Sequence, residues 1–558
     1  MKSVLIAIML CSAVWATPEP RKDFNFEGFS HLAIQDRGRV KPFATFAEET
    51  LLFVTGKRSW KSVSSTEAVL GWLFAFDEDW ADEPFIRVDH QGLKKTLGLE
   101  VSRNYFTMAE LTDLPELGKI IQRARKKDQR KERQTDEEKK AVETQSKLGW
   151  VRSVLSGDAF TILPNPSGEQ DAWFSLASLR EHQAPPYSPE NLGKLTQSFS
   201  GLALGFHGKD AAKWNDNAVT LISLIRQDLA PSVYPPAKQL NIEVHYQRLH
   251  AFRWAWVSYL FAFIVSIFAA YTASRIPRNL AGALLVIGFL LHTYGFALRV
   301  YIAGRPPVTN MYESVIWVSW GSLIFAALIW SKYRNGVILA SSVLFTIVCL
   351  VLADLLPTVL DAGIHPLEPV LRSNFWLTIH VLTITLSYAA FAVSLCLGNV
   401  NLGNFLFRPT DEKRIQQYTL YMYRAMQIGV ILLGAGTILG GVWADYSWGR
   451  FWGWDPKEVW ALIAFLLYVA VLHGRFSGLL KGFGFTAATV VCFLGVLMAW
   501  YGVNFVLGVG LHAYGFGTGG IQYVVGYVLA QILYILIAYF SYRKSRGSKP
   551  PMPVAFPK

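Results

Sequence analysis

The sequence predicts an α-helical polytopic membrane protein of about nine transmembrane helices, preceded by an extracytoplasmic soluble domain that is mixed α/β or mostly α. Three observations predict this fold class. Charged residues make up only 17% of the 558 residues, against about 25% in an average soluble protein. From residue 251 onward, nine apolar runs approach or exceed the roughly 20 residues needed to cross a bilayer. Between residues 17 and 248, no apolar run is that long.

Residues 1–16 are predicted to be a secretory signal peptide. Lys2 supplies the positive charge, residues 4–10 the apolar core, and Val14-Trp15-Ala16 an acceptable cleavage site. The apolar core is too short to span a bilayer, and the sequence leaves open whether the leader is cleaved. In either case we expect the following domain, residues 17–248, to lie in the periplasm.

The apolar runs define a transmembrane domain over residues 251–541 and a cytoplasmic tail over residues 542–558. If residue 248 is outside, alternate connections lie in the cytoplasm, and each of them is basic, as the positive-inside rule requires. These connections contain Arg275 and Arg278, Lys332 and Arg334, Lys413 and Arg414, Arg475 and Lys481, and Arg543 to Arg546. The predicted spans are roughly 251–273, 280–301, 313–331, 336–357, 376–398, 419–442, 458–474, 483–504 and 521–541.

The charge and cysteine content exclude several other kinds of protein. The net charge of +12 is explained by the loop charges, and no basic module with interleaved aromatic residues accompanies it, so we expect no nucleic-acid partner. The four cysteines form no CxxC pair. This disfavours a dithiol redox motif, a zinc knuckle and a covalently attached heme on this chain.

The predicted outer segment 443–460 is rich in tryptophan. Anchoring at the level of the lipid headgroups is one explanation, because tryptophan favours that depth. The intervening glycines favour the other explanation, a tight loop whose flat rings bind a flat apolar ligand. The five tryptophans are Trp443, Trp448, Trp452, Trp454 and Trp460.

Two histidines flank this segment on the predicted outer face. His380 lies four residues inside its apolar run, about 6 Å deep, and His512 lies in the outer segment 505–520. An ionisable residue in a membrane span is costly and therefore indicates function. A lone histidine is more often a packed core residue, but two beside an aromatic loop predict a bis-histidine heme site, because neutral imidazole is a good axial ligand for iron.

The segment from Trp448 to Trp460 resembles the tryptophan-rich WWD signature of heme-handling proteins. Weaker motifs lie elsewhere in residues 280–520, in an order and at a spacing that resemble those of these proteins. They are found at Arg305 to Ser314, around His380 and His473, and from Gly502 to His512. Together they resemble the CcsA (ResC) subunit of the System II cytochrome c synthase. The chain is similar to the C-terminal half of a fused CcsBA synthase.

This resemblance implies roles for individual residues. His380 and His512 correspond to two external histidines that ligate heme iron beneath the WWD loop, and His473 corresponds to a transmembrane histidine that holds heme in transit. Within the loop, the resemblance implies that the residues acting in catalysis are Trp448, Trp452, Trp454, Asp455 and Trp460.

A second transmembrane histidine comes, in this family, from a ResB/CcsB half that is not recognisable in this sequence. We therefore expect a ResB/CcsB-like membrane subunit as a partner. His292 is the alternative source of that ligand, but its predicted depth differs from that of His473 by about 10 Å. It is otherwise a packed helix-interior residue or a contact along the heme route.

The expected function is cytochrome c biogenesis at the bacterial inner membrane. Heme b, as substrate, passes across the membrane and is presented at the outer site to the CxxCH segment of an apocytochrome c, whose thiols form thioether bonds. The chain is then a holocytochrome c synthase (heme lyase) subunit that is active only with its partner. The alternative is a heme exporter or chaperone that delivers heme to a separate ligase.

Overall fold

The computed structural model describes residues 18–547 except 131, 133, 169–170, 180–184, 273, 358, 368–372, 509, 511 and 513–519. The predicted signal peptide and residues 548–558 of the predicted tail lie outside the described residues. The chain divides into two compact units, one ending at Arg248 and the other beginning at Leu249. The boundary falls where the sequence changes from polar to apolar.

The first unit is built mainly of helices, with two short antiparallel hairpins. Strands β1 (Ala33–Asp36) and β2 (Arg39–Pro42) pair with each other, as do β3 (Ile86–Arg87) and β4 (Tyr105–Phe106). The helices are α1 (Glu27–Ser30), α2 (Phe43–Thr55), α3 (Ser65–Ala75), α4 (Gln91–Thr96), α5 (Met108–Thr112), α6 (Pro115–Gln129), α7 (Asp136–Ser156), α8 (Pro189–His207), α9 (Ala211–Leu224) and α10 (Ala237–Leu249).

Local sequence signals explain several of these elements. The turn between β1 and β2 consists of Arg37 and Gly38, both at positive φ, which is the geometry of a two-residue hairpin turn. Helices α5 and α7 each begin with a capping box, formed by Thr107 and by Thr135 with the glutamate three residues later. The core is aromatic, and the indoles of Trp72 and Trp80 pack edge to face with ring centroids 5.8 Å apart.

The second unit consists of long helices. They are α11 (Ala251–Tyr271), α12 (Arg275–Ala303), α13 (Met311–Tyr333), α14 (Gly336–Leu355), the short α15 (Asn374–Trp376), α16 (Leu382–Phe407), α17 (Glu412–Trp448), α18 (Pro456–Phe476), α19 (Gly482–Leu497) and α20 (Ile521–Gly547). Within the described part of the chain, nine helical stretches are long and apolar enough to cross a membrane. The prediction of a polytopic α-helical membrane protein is confirmed.

Helix α16 lies at the centre of the second unit. It packs against α13, α14, α17, α19 and α20, and most of its side chains are buried. Glycine permits the closest of these contacts: a Cβ atom at Gly429 of α17 would lie 2.4 Å from the ring of Phe391. Phe391 in turn stacks on Tyr468 of α18 with ring centroids 3.7 Å apart. Small residues at helix contacts are typical of membrane bundles, where close packing replaces the hydrophobic effect.

Two helices wind as π-helical turns at the same end of the bundle. One turn, Leu377–Val381, joins α15 to α16, and the other, Met498–Leu507, continues α19. Such turns are rare in proteins, but those that occur are often found at functional sites. They change the direction in which the following side chains project. The first contains His380 and the second contains Asn504.

Candidate functional site

The tryptophan-rich segment is a short loop between two helix ends. Although residues 443–460 were predicted to form a loop, α17 continues to Trp448, where Gly449 at φ 67° ends the helix. Helix α18 begins at Pro456, with Asp455 as its N-cap and Glu458 completing a capping box. The extended part, which we call the tryptophan loop, is therefore residues 449–455.

The tryptophans predicted to act in catalysis differ in their surroundings. Trp452 and Trp454 lie in the loop and pack edge to face, with ring centroids 6.1 Å apart. Trp454 is 72% exposed and has φ 59°, a conformation in which a bulky side chain costs about 1–3 kcal/mol. Trp448 and Trp460 are half-buried in the adjoining turns of α17 and α18. The exposed, strained indole is the one with surface to offer a ligand.

His380 is fixed against α17. Its Nδ1 lies 2.8 Å from the carbonyl oxygen of Gly436, and its ring meets that of Trp443 edge to face at 5.7 Å. A carbonyl can only accept a hydrogen bond, so Nδ1 carries the proton and the lone pair of the neutral ring is on Nε2. The ring also lies directly over Gly440, where a Cβ atom would come within 2.5 Å of Cε1.

His512 is fixed against the start of α18. Its Nδ1 lies 2.9 Å from Oδ2 of Asp455, and its ring meets that of Trp448 edge to face at 5.3 Å. The Asp455 side chain is 4% exposed. Because a carboxylate also only accepts, this ring too has its proton on Nδ1 and its lone pair on Nε2 when neutral.

The two histidines lie near each other. His512 and Lys457 both lie close enough to His380 to interact with it electrostatically. Each imidazole packs on a tryptophan of α17, Trp443 or Trp448, and these are about 7.5 Å apart along the helix axis. Two imidazoles with lone pairs on Nε2, beside the exposed indole of Trp454, suit axial coordination of an iron porphyrin.

Asn504 connects the neighbouring polar groups. With its side-chain amide oriented to satisfy both neighbours, Asn504 donates to the backbone oxygen of His512 at 3.2 Å and accepts from Lys457 Nζ at 3.2 Å. Asn504 was not predicted as a site residue, although it lies, like Lys457, inside the sequence motifs that suggested the site. Their part becomes visible only once α18 and the π-turn of α19 are packed together.

His473 lies outside this cluster. It is exposed, 18 residues along α18 from Asp455, which corresponds to about 27 Å. Its Nδ1 lies 2.8 Å from the backbone oxygen of Val469, so the neutral ring again has its lone pair on Nε2. The structure therefore separates His473 from His380 and His512 by most of the thickness of a bilayer.

His292 is packed inside the bundle. It is fully buried, its ring stacks on Phe296 at 5.3 Å, and its Nδ1 lies 3.4 Å from the hydroxyl of Tyr259. Helix α12, which carries it, packs against α11 and α13, whereas α18 packs against α17 and α19. These surroundings are those of a packed helix-interior residue, one of the alternatives that the sequence left open.

A buried ion pair that the sequence did not predict holds two loops at the same end of the bundle. Arg299 donates through Nε to Glu313 at 2.7 Å, and both side chains are almost completely buried. Arg299 also donates to the backbone oxygens of Ala362 and Gly363, and Glu313 accepts from Thr309. The segments after α12 and after α14 are thereby fixed beside the site.

Comparison with known proteins identifies the family. Residues 308–512 match the family model described as cytochrome C assembly protein. The chain is 34% identical to the cytochrome c biogenesis protein CcsA of Prochlorococcus marinus over 268 residues, 42% of this chain and 84% of that protein. It is 32% identical to CcsA of a Synechococcus species over 286 residues, 46% of this chain and 92% of that protein.

A longer relative covers both units. The chain is 31% identical to protein NrfI of Wolinella succinogenes over 518 residues, which are 88% of this chain. It spans about half of that relative, since the match covers 54% of NrfI. Taken with the nine membrane helices and the motifs around His380 and the tryptophan loop, these matches show that the chain belongs to the CcsA family of cytochrome c biogenesis proteins.

Proposed function

We propose that this protein binds heme between His380 and His512 and presents it for attachment to apocytochrome c. The observation that carries the proposal is that the contacts of the two imidazoles select the same tautomer. Each donates from Nδ1 to a fixed acceptor, Gly436 or Asp455, and so directs its lone pair from Nε2. Heme is the substrate here, and the chain's contribution is to hold and orient it.

The attachment itself needs little acid–base chemistry. Each cysteine thiol of a CxxCH segment adds across one vinyl group of heme, so that a C–S bond forms and the thiol hydrogen ends on the vinyl carbon. No net oxidation or reduction accompanies this addition. Orientation of the two reactants therefore accounts for much of the rate, which suits a site made of aromatic rings and fixed ligands.

The indoles of the tryptophan loop supply the surface on which heme is oriented. Trp452 and Trp454 meet edge to face, so they form two walls of a corner rather than one flat surface. Trp454 is exposed and Trp452 is half-buried, so the ring of Trp454 in particular is available to the porphyrin or to an incoming peptide.

We further infer that heme reaches this site from a second site at His473, on the opposite end of α18. An exposed imidazole on a membrane helix is costly in lipid, which favours a covering partner. A ResB/CcsB-like subunit with its own histidine would complete the iron coordination. The basic connections at that end, such as Arg275 and Lys413, support a cytoplasmic location for it and a periplasmic location for the tryptophan loop.

The central test is the coordination of bound heme. Protein purified with its partner should show a six-coordinate, bis-histidine spectrum. The double variant His380→Ala/His512→Ala should lose this heme while protein levels stay similar. His365→Ala is the matched control, because that side chain bonds Asp361 at the same end of the bundle. Retention of the unchanged spectrum by the double variant would refute the proposal.

A second experiment addresses the partner. Coexpression with a ResB/CcsB-like chain should raise heme occupancy, and His473→Ala should remove that gain. His292→Ala should have a smaller effect, since His292 is packed against Phe296 and Tyr259. If the chain alone holds six-coordinate heme that His292→Ala destroys, the inference of an external ligand is wrong.

The same coexpression distinguishes a synthase subunit from a heme exporter. A synthase should produce covalent cytochrome with only the partner and an apocytochrome present. An exporter would require a further protein, and covalent product would then be absent.

A further inference from the structure

The carboxylate of Asp455 serves two structural partners at once. It is the N-cap of α18, accepting from the backbone N–H of Lys457 at 3.1 Å, and it accepts from Nδ1 of His512 at 2.9 Å. The N-terminus of the helix needs only a side-chain oxygen that accepts a hydrogen bond, which serine, threonine or asparagine would supply as well as aspartate. The bond to His512 is the contact for which a carboxylate differs from other N-caps.

Gly510 lies close to this carboxylate. Gly510 has φ 99°, and a Cβ atom there would lie 2.4 Å from Oδ1 of Asp455 and 2.8 Å from Cδ of Pro456. Only glycine permits this approach. On the other side, Asn504 donates to the backbone oxygen of His512. The backbone oxygen and the ring of His512 are thus fixed by independent contacts.

The two imidazoles of the site differ in the charge of the group that Nδ1 faces. His380 donates to the neutral backbone oxygen of Gly436, whereas His512 donates to an anion. A carboxylate partner makes a metal-bound imidazole more basic and fixes its tautomer and orientation, and loss of such a partner typically lowers metal affinity about 10–100-fold.

We propose that Asp455 is a positioning residue that makes His512 the more strongly donating of the two heme ligands. This inference rests on the proposed function, because it concerns how the same site holds heme. The consequence is that His380 and His512 bind the heme iron with different strength even before an apocytochrome binds. An anionic partner stabilises ferric iron through His512 and so holds the reduction potential of the heme down.

Two substitutions separate the cap from the ligand contact. Asp455→Asn retains the shape and an oxygen acceptor but removes the charge. Asp455→Ser retains a good N-cap, but its side chain is too short to reach His512. Glu458→Gln is the matched control, because it alters the same capping box and leaves both partners of the bond between His512 and Asp455 in place.

The experiment measures optical spectra, heme affinity and reduction potential on the purified complex with its partner. Asp455→Asn should keep six-coordinate heme with a potential shifted in the positive direction. Asp455→Ser should bind heme about 10–100-fold more weakly, with some five-coordinate heme. Glu458→Gln should match the wild type in spectrum and potential.

Wild-type spectra and potential in both Asp455 variants would overturn the proposal and leave Asp455 as a helix cap. If Asp455→Ser fails to fold, the potential of Asp455→Asn decides alone. Failure of the proposed function is distinguishable, because the heme of the wild type would then survive the His380→Ala/His512→Ala double substitution.

Discussion

Gly440→Ala tests whether His380 must occupy its present position. The residue lies within α17, and a Cβ atom there would lie 2.5 Å from Cε1 and 3.0 Å from Nδ1 of His380. Non-bonded carbon atoms rest at about 3.5–4.0 Å. The ring must therefore retreat by about 1 Å, and the 2.8 Å bond from its Nδ1 to Gly436 would lengthen beyond hydrogen-bonding distance.

The effects on stability and on heme should then differ. Alanine in a helix is more favourable than glycine by about 1 kcal/mol. A lost hydrogen bond costs about 0.5–1.5 kcal/mol. These two changes roughly cancel, so the free energy of unfolding should change little. Heme affinity should fall about 10–100-fold, because the ligand loses both its position and its Nδ1 acceptor.

The assay is the heme-to-protein ratio and the optical spectrum of the purified variant, together with its thermal unfolding in detergent. Gly526→Ala in α20 is the matched control, since a Cβ atom there meets nothing within 4 Å. The control should keep its heme. Wild-type heme content and spectrum in Gly440→Ala would refute the placement of His380 as a ligand fixed by α17.

Three further predictions concern topology, stability and strain. A periplasm-dependent reporter fused near residue 150 should be active and one near residue 410 silent; the reverse would overturn the proposed orientation. Arg299→Gln removes the counter-ion of the buried Glu313 carboxylate and should lower the free energy of unfolding by about 3–5 kcal/mol, measured by thermal unfolding. Arg253→Gln removes the more exposed ion pair with Asp354 and should cost about 1 kcal/mol or less. Trp454→Asn should leave stability unchanged or higher by about 1 kcal/mol, because asparagine tolerates positive φ, while cytochrome yield falls; a large loss of stability would contradict this.

The membrane helices could be predicted from sequence because each must present an apolar surface to lipid over a fixed thickness. Their ends could not, since hydropathy measures the apolar layer and not the helix. The apolar run at 419–442, for example, is only the middle of a helix that spans Glu412–Trp448. The helix continues beyond the run at both ends through polar residues, among them Lys413, Arg414 and Asp445. The start of α18 was available in the sequence, as Asp455, Pro456 and Glu458 form a capping box with proline at the first position.

The contacts that give the site its chemistry could not be predicted from sequence. His380 is 56 residues from Gly436, and Asp455 is 57 residues from His512. No local pattern specifies such pairs, because they depend on how α16, α17 and α18 pack. The resemblance to a family predicted heme ligands at His380, His512 and His473, but it did not indicate what each Nδ1 faces.

Position and binding surface are supplied by different parts of this site. His380 and His512 are held by buried or half-buried contacts to Gly436, Gly440 and Asp455, so the distance between the two imidazoles is set by these contacts. Trp454, in contrast, is strained and mostly exposed. Covering its ring would remove roughly 150 Å² from water, worth about 3–4 kcal/mol. Two fixed imidazoles beside such a surface would favour a flat metal complex over a bare metal ion or an apolar molecule. Only the complex offers both a metal for the imidazoles and an apolar face for the indole.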